Sequence, residues 1–283
     1  CGELLGAGAV AVSDDGKPVM SSHLMRTALE YAQTFGIPVA DHCEELTLAQ
    51  GGAMHEGIVA TRLGLKGIPA AAEEIHVSRD ILLSQLTGGR VHLCHMSTRG
   101  SVALIRRAKE LGLPVTAEVT PHHFTLTHHA CEGYNTNAKM NPPLREAEDV
   151  EALQQALRDG VIDVIATDHA PHHYDAKERE FDDAPNGILG LETAFGLAMT
   201  ELVQPGILTL PQLLHRMSTR PAQIFRLPGG TLAVGAPADV TILDPTAQWT
   251  VQPSRFFSKS RNTPFGGRKL VGRADLTIVR GRV

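Results

Sequence analysis

The chain has 283 residues, enough for one large α/β barrel or two ordinary domains, and its 42% apolar and 20% charged residues are ordinary for a globular protein. Its net charge of −5 argues against nucleic acid or an anionic membrane surface as the main partner, because both select for clustered Lys and Arg. No apolar run approaches the roughly 20 residues that span a bilayer, and the four cysteines (Cys1, Cys43, Cys94, Cys131) are scattered without a CxxC, so no disulfide framework is expected and a cytoplasmic setting fits best.

The chain opens at Cys1, without Met, on Gly- and Ala-rich sequence and ends in an apolar run at Val283, which reads as a piece of a longer protein. Residues 6–13 (GAGAVAVS) are short, apolar and β-leaning, and stop at the turn signal Asp14-Asp15-Gly16. Helical spacing of Leu24, Ala28, Tyr31, Ala32 and Phe35 predicts a helix over 22–35, closed by Gly36. A strand over 37–40 then ends at Asp41-His42, and a helix is expected over 72–87. The alternation continues with a strand over 90–94 ending at His95, a helix over 101–111 and a strand over 114–119 ending at Thr120-Pro121-His122-His123. A helix over 146–158 precedes a buried-type strand over 161–166 that ends at Thr167-Asp168-His169.

Five strands that each end in polar or metal-capable residues favour a partial (β/α)8 TIM-type barrel over a doubly wound sheet, since such barrels collect their sites at the C-terminal ends of the strands. On that count residues 1–226 form a barrel lacking about its first three strands. From Leu227 onward, short β-type runs broken by Gly and Pro (229–243 and 270–283) are expected to form a small C-terminal β-unit, part of a β-sandwich, over 227–283.

Fourteen histidines make metal or acid–base chemistry worth testing against position. Asp15, His42, His95 and Asp168 stand at successive strand ends, and imidazole nitrogen with carboxylate oxygen suits zinc and similar divalent ions. Each has an ordinary reading by itself. A lone strand-end His is more often a satisfied polar residue, Asp14-Asp15-Gly16 is most often a turn, and Asp168 could cap the next segment. Four such coincidences on one barrel mouth favour the metal. In Thr167–His172, Pro171 fixes the turn that aims His172 at the mouth, and Asp168 sits where it can ligate and take a proton. Asn141, in the stretch Lys139–Arg145, offers donors and an acceptor to an amide or carboxylate substrate, on a loop stiffened by two prolines.

The stretches SDDGKPV (13–19), ADHCEE (40–45), HLCHMSTRGSV (92–102), AEVTPHHFTLT (117–127), KMNPPLR (139–145), ATDHAPH (166–172) and PNGILGLET (185–193) together resemble the class I dihydroorotases of the amidohydrolase superfamily, and GAPADVTILD (235–244) resembles the superfamily's C-terminal β-unit. The resemblance implies a zinc-dependent cyclic-amide hydrolase with two divalent cations in a complete site. Its reaction is the reversible cyclisation of N-carbamoyl-L-aspartate to L-dihydroorotate in pyrimidine synthesis. It implies that Asp15 bridges the metals, His42 and His95 hold the second, and Asp168 ligates the first and acts as general base. Asn141, His172 and the backbone at Asn186-Gly187 would hold substrate, under a mobile loop from His172 to Asn186 whose charged residues 175–183 suit a solvated lid.

The family's first strand carries a His-x-His pair for the first metal, and no His-x-His occurs in this chain. The expectation is therefore at most about one zinc per chain and weak or no turnover. Beyond the small-molecule substrate, the resemblance leaves open a homodimer and a complex with aspartate carbamoyltransferase. Two other readings are a non-catalytic scaffold for that partner and a hydantoinase- or allantoinase-type amidase. The retained site residues count against the scaffold, and a carboxylate at position 15, where those amidases use a carbamylated lysine, counts against the second.

Overall fold

Strands that are buried on both faces and helices with a single apolar stripe can bury each other only in layers, and that is how this chain folds. The computed structural model describes residues 2–283. The described residues form strands β1 (Val12–Ser13), β2 (Val39–Asp41), β3 (Met54–His55), β4 (Gly67–Ile68), β5 (Val91–Leu93), β6 (Val115–Val119), β7 (Val164–Ile165), β8 (Val240–Thr250) and β9 (Lys269–Ile278). Five of them make one parallel sheet in the order β1-β2-β5-β6-β7. Val39 pairs with Val12 on one side and Val91 on the other, and Val91 pairs with Val115. Every residue of β2 and β5 is buried, as a sheet covered on both faces requires. Eight such strands close a barrel, so these five form an open arc of one.

Helices α1 (Gly2–Gly6), α2 (Ser22–Phe35), α3 (Leu46–Ala49), α4 (Ile58–Leu63), α5 (Ala71–Thr87), α6 (Arg99–Glu110) and α7 (Ala147–Asp159) alternate with these strands. The four long ones pack as neighbours in chain order, α2 on α5, α5 on α6 and α6 on α7. Their boundaries follow local chemistry. Ser21 accepts the Leu24 amide at the start of α2, and Gly36 ends it in the left-handed conformation at φ 66°. Thr98 caps α6, and Glu146 with Asp149 forms a capping box on α7. Met25, Leu29, Val77, Ile105, Leu153 and Leu157 then meet Val39, Leu93, Ala117 and Ile165 in one core.

Two strands are shorter than their apolar runs. Residues 2–6 curl into α1 and Gly8 turns at φ 100°, which leaves only Val12–Ser13 extended in β1. Val161 and Ile162 donate back to the Ala156 carbonyl as α7 unwinds, so β7 begins at Val164. Periodicity also gave no sign of the β3–β4 pair or of the two helical runs over 194–203 and 210–225, separated by a turn at 204–209 and each containing a π-helical segment, Met199–Val203 and His215–Thr219.

Strands β8 and β9 pair antiparallel, Val240 opposite Ile278 and Thr250 opposite Lys269, with irregularities at Ile242/Leu243 and Asp244/Gln248. This ladder rests on the Ala194–Ala198 helix. Trp249 Nε1 donates to the Gly272 carbonyl, and Gly272, at φ 88°, lies where a Cβ would come within 2.6 Å of Met199.

Candidate active site

Because the five strands run parallel, their C-terminal ends share one edge of the sheet, and Asp15, His42, His95 and Asp168 all follow those ends. The turn after β1 is tied to β2 by Asp14, whose carboxylate accepts the His42 amide (3.0 Å) and the Val19 amide (2.7 Å). That clamp presents Asp15 to the neighbouring imidazoles. His42 Nδ1 and His95 Nε2 lie 2.9 Å apart, and Asp15 Oδ1 is 3.5 Å from the first and 3.3 Å from the second. Ligands of one tetrahedral zinc, at about 2.0–2.1 Å from the ion, sit roughly 3.3 Å from each other. The three donor atoms fit one cation.

Their environment fits as well. Both imidazoles are buried, whereas Asp15 is exposed at the mouth. Hydrogen bonds from His42 and His95 hold the Asp15 carboxyl well below the usual range, so it stays charged. Burial pulls His42 down, but its bonds to Asp15 and Glu44 overcome this and raise it to about 9. The second nitrogen of His42 meets Glu44 Oε2 at 3.2 Å, the kind of outer carboxylate contact that fixes the ring orientation of imidazole ligands in metal sites. Glu118 plays a similar part at β6: it accepts the His95 amide at 3.4 Å and holds His92 Nε2 at 3.0 Å. His95 and Asp168 both adopt positive φ (38° and 44°), a strained backbone for residues with a side chain.

Asp168 is not a member of the tight trio. Its side chain makes no hydrogen bond among the described residues, yet it lies within electrostatic reach of His95, Asp15, Glu118 and His42. Burial raises its carboxyl above the usual range against the pull of His95.

Among the described residues two further groups bring metal-capable atoms together, and neither invites a cation. In His55–His128–Glu146, the buried Arg145 guanidinium donates to His55 Nδ1 at 3.2 Å. Burial and that positive charge lower His55 to about 4. In Asp41–Cys43–Asp80, burial and then Asp80 raise Asp41 to about 10, and Arg79 already bonds Asp80 at 2.7 Å.

The residues expected to face substrate begin beside the trio, where Asn141 Nδ2 lies 3.3 Å from His42 Nε2. Asn141 Nδ2 donates to Glu44 Oε2 at 3.0 Å, which joins the substrate loop to the metal side. Glu44, Leu46, Ala49, Ile68, Asn141 and Asn186 line a cavity of about 420 Å³, a size suited to a small molecule. His172 Nε2 donates to the Asn186 carbonyl (2.8 Å), and the Gly187 amide donates to Lys139 O (2.9 Å). At Gly187, φ 141°, a Cβ would meet His172 Nε2 and Ala170 Cβ, both at 2.7 Å, so only glycine fits there.

The 172–186 loop exposes Asp175, Glu178, Arg179, Glu180, Asp182 and Asp183, as a solvated strap does, but it is pinned from beneath. Lys177, Phe181 and Ala184 are buried within it, because two lysines tie it down reciprocally. Lys139 Nζ donates to the carbonyls of Phe181 (2.6 Å) and Asp182 (2.9 Å), and Lys177 Nζ donates to Thr136 O (2.9 Å) and Pro185 O (2.7 Å). Burial lowers Lys177 to about 8 and moves Lys139 in the same direction. Sequence reasoning missed these two as fasteners, along with Asp14, Glu44 and Glu118. Only Glu44 carried a readable signal, an acid two residues from His42.

Comparison with known proteins identifies the family. The Dihydro-orotase-like family matches residues 2–101, and the Amidohydrolase family matches residues 85–283. Over its whole length the chain is 58% identical to proteins named dihydroorotase from Anaeromyxobacter dehalogenans and Pelotomaculum thermopropionicum, and it spans 65% and 66% of them. Among solved structures, an L-hydantoinase (dihydropyrimidinase) from Arthrobacter aurescens superposes with a TM-score of 0.88 at 30% identity, over 99% of this chain and 66% of that one. A D-hydantoinase from Thermus sp. gives 0.85 at 26% identity, over 99% and 65%.

Proposed function

We propose, from the premise that this chain belongs to the amidohydrolase family, that it carries the second-metal and substrate-facing part of a zinc-dependent dihydroorotase acting on L-dihydroorotate and N-carbamoyl-L-aspartate. The observation that carries this reading is the convergence of Asp15, His42 and His95 donor atoms within 3.5 Å at the mouth of the sheet. A divalent ion held there supplies Lewis acidity towards a carbonyl and brings the pKa of water towards neutrality. The protein's own groups do the rest. Glu44 orients His42, and Asp168 stands where it can accept a proton and return it to the departing amide nitrogen. Asn141, His172 and the Asn186-Gly187 backbone orient the ureido and carboxylate groups of the substrate.

Hydantoinase-type activity is the second reading, favoured by the fold similarity to the Arthrobacter and Thermus enzymes. Zinc titration of the purified chain and turnover of L-dihydroorotate, hydantoin and dihydrouracil separate the two. The expected result is about one zinc per chain, lost in Asp15→Ala, with turnover weak or nil until a segment supplying a His-x-His pair is joined to it. Activity should then appear on dihydroorotate. Preference for hydantoin overturns the substrate assignment, and a chain that takes up no zinc overturns the site.

A further inference from the structure

The two segments that bear the proposed substrate contacts, 168–172 and 186–189, are 14 residues apart at their nearest and share one partner from much later in the chain. That partner is Asn262, which is only 4% exposed. Its side-chain oxygen accepts the His172 amide at 3.1 Å. Its side-chain nitrogen donates to the carbonyls of Ala170 (2.8 Å) and Gly187 (3.0 Å), and its own carbonyl accepts the Leu189 amide (3.0 Å). One carboxamide thus uses its acceptor on the first segment and splits its two donors between both. No other side chain offers that set in so small a volume: aspartate lacks the donors, and glutamine adds a methylene to a closed site.

We propose that Asn262 is a positioning residue for substrate binding, setting the spacing between His172 and the Asn186-Gly187 backbone. The role rests on the dihydroorotase reading for its substrate, but the clamp itself does not. Its reach explains why Gly187 can lie against His172: the segments are drawn together until a Cβ has no room. It also stands apart from the Asp15–His42–His95 trio, with which it shares no hydrogen bond.

The test is Asn262→Asp, nearly isosteric, which keeps the acceptor but turns both donors into an oxygen facing two carbonyls. Hydrogen exchange followed by mass spectrometry on the zinc-loaded chain should show peptides within 168–189 exchanging at least about tenfold faster, with α5 and α6 unchanged. Zinc uptake should stay as in the wild type, and the affinity for L-dihydroorotate should fall by about tenfold or more. Asn262→Ser, which retains one donor and brings no charge, should lie between the two and guards against a variant that fails to fold. Unchanged exchange over 168–189, or equal loss of protection throughout the chain, overturns the clamp. A wild-type chain that binds no dihydroorotate, even with a His-x-His segment supplied, instead sinks the substrate assignment, while the exchange result still decides the clamp.

Discussion

On the metal side of the site, Asp15, His42 and His95 sit directly after strands of one parallel sheet, and their donor atoms crowd within 3.5 Å. Beside it, touching His42 through Asn141 Nδ2 at 3.3 Å, a second wall of Asn141, His172, Asn186 and Gly187 belongs to irregular segments fastened by backbone carbonyls, two buried lysines and Asn262. The first wall gathers electron-rich atoms that repel one another unless a cation or proton lies between them. It also leaves His95 Nδ1 buried without a partner. The second wall is close to satisfied as it stands, with each lysine ammonium facing two carbonyl oxygens. The proposed metal ligands therefore sit on the rigid sheet, and the proposed substrate contacts sit on segments held by adjustable hydrogen bonds.

The largest effect that would break this contrast is on the first wall. Zinc sites built from about four ligands gain roughly 10–16 kcal/mol, so each ligand accounts for about 2.5–4 kcal/mol. His95→Ala should weaken zinc binding by about 100- to 1000-fold, measured by competition with a chromophoric chelator. Because β5 is held by its buried apolar residues and not by the imidazole, the thermal midpoint of the metal-free chain should hardly move. A variant that binds zinc like the wild type would remove the trio as a metal centre.

The second wall responds to pH in a way the first does not. Lys177 falls from its ordinary 10.5 to about 8 in the folded chain through burial. Between those values the unfolded chain holds a proton that the folded chain has released, so folding becomes more favourable as pH rises through the window. The amine left behind still has two hydrogens for Thr136 O and Pro185 O. Denaturant titrations at pH 8 and pH 10 should show the wild type gaining stability relative to Lys177→Met, by at most about 3 kcal/mol. A wild type that loses ground over the same range would mean the ammonium form is the one the loop requires.

The contrast also explains what could be read without coordinates. Helix α2 was legible in its bounds, because Gly36 marks its end, but not in its face: of the stripe Leu24, Ala28, Tyr31, Ala32 and Phe35 only Ala32 is buried, beside Met25 and Leu29, while Leu24, Tyr31 and Phe35 are exposed. The trio was legible because a His or Asp directly after an apolar run is unusual, and parallel strands deliver such residues to one edge. Lys139 and Lys177 were not, since a lysine in a charged stretch looks solvated until a fold supplies carbonyls for its ammonium. Asn262 lies 90 residues from His172, and nothing local in SRNTPF announces a partner. The β3–β4 pair is two residues long on each strand, below the length at which alternation can be recognised.

Glu44 touches both walls and so provides the finest test of the division between them. Its Oε2 meets His42 Nε2 at 3.2 Å and Asn141 Nδ2 at 3.0 Å. Glu44→Gln preserves shape and can still accept one hydrogen bond, but it removes the charge that makes His42 a stronger donor to an ion at Nδ1. Outer carboxylates of this kind are worth about 10–100-fold in metal affinity. A loss near the lower end, about tenfold, is expected here because Asp15 contributes its own charge next to the same imidazole. If the walls are independent, the variant should weaken zinc binding while hydrogen exchange over 168–189 stays as in the wild type, since Asn262 and the two lysines hold those segments without Glu44. If exchange there rises together with the loss of zinc affinity, the walls are coupled through Asn141, and substrate binding would report on metal occupancy.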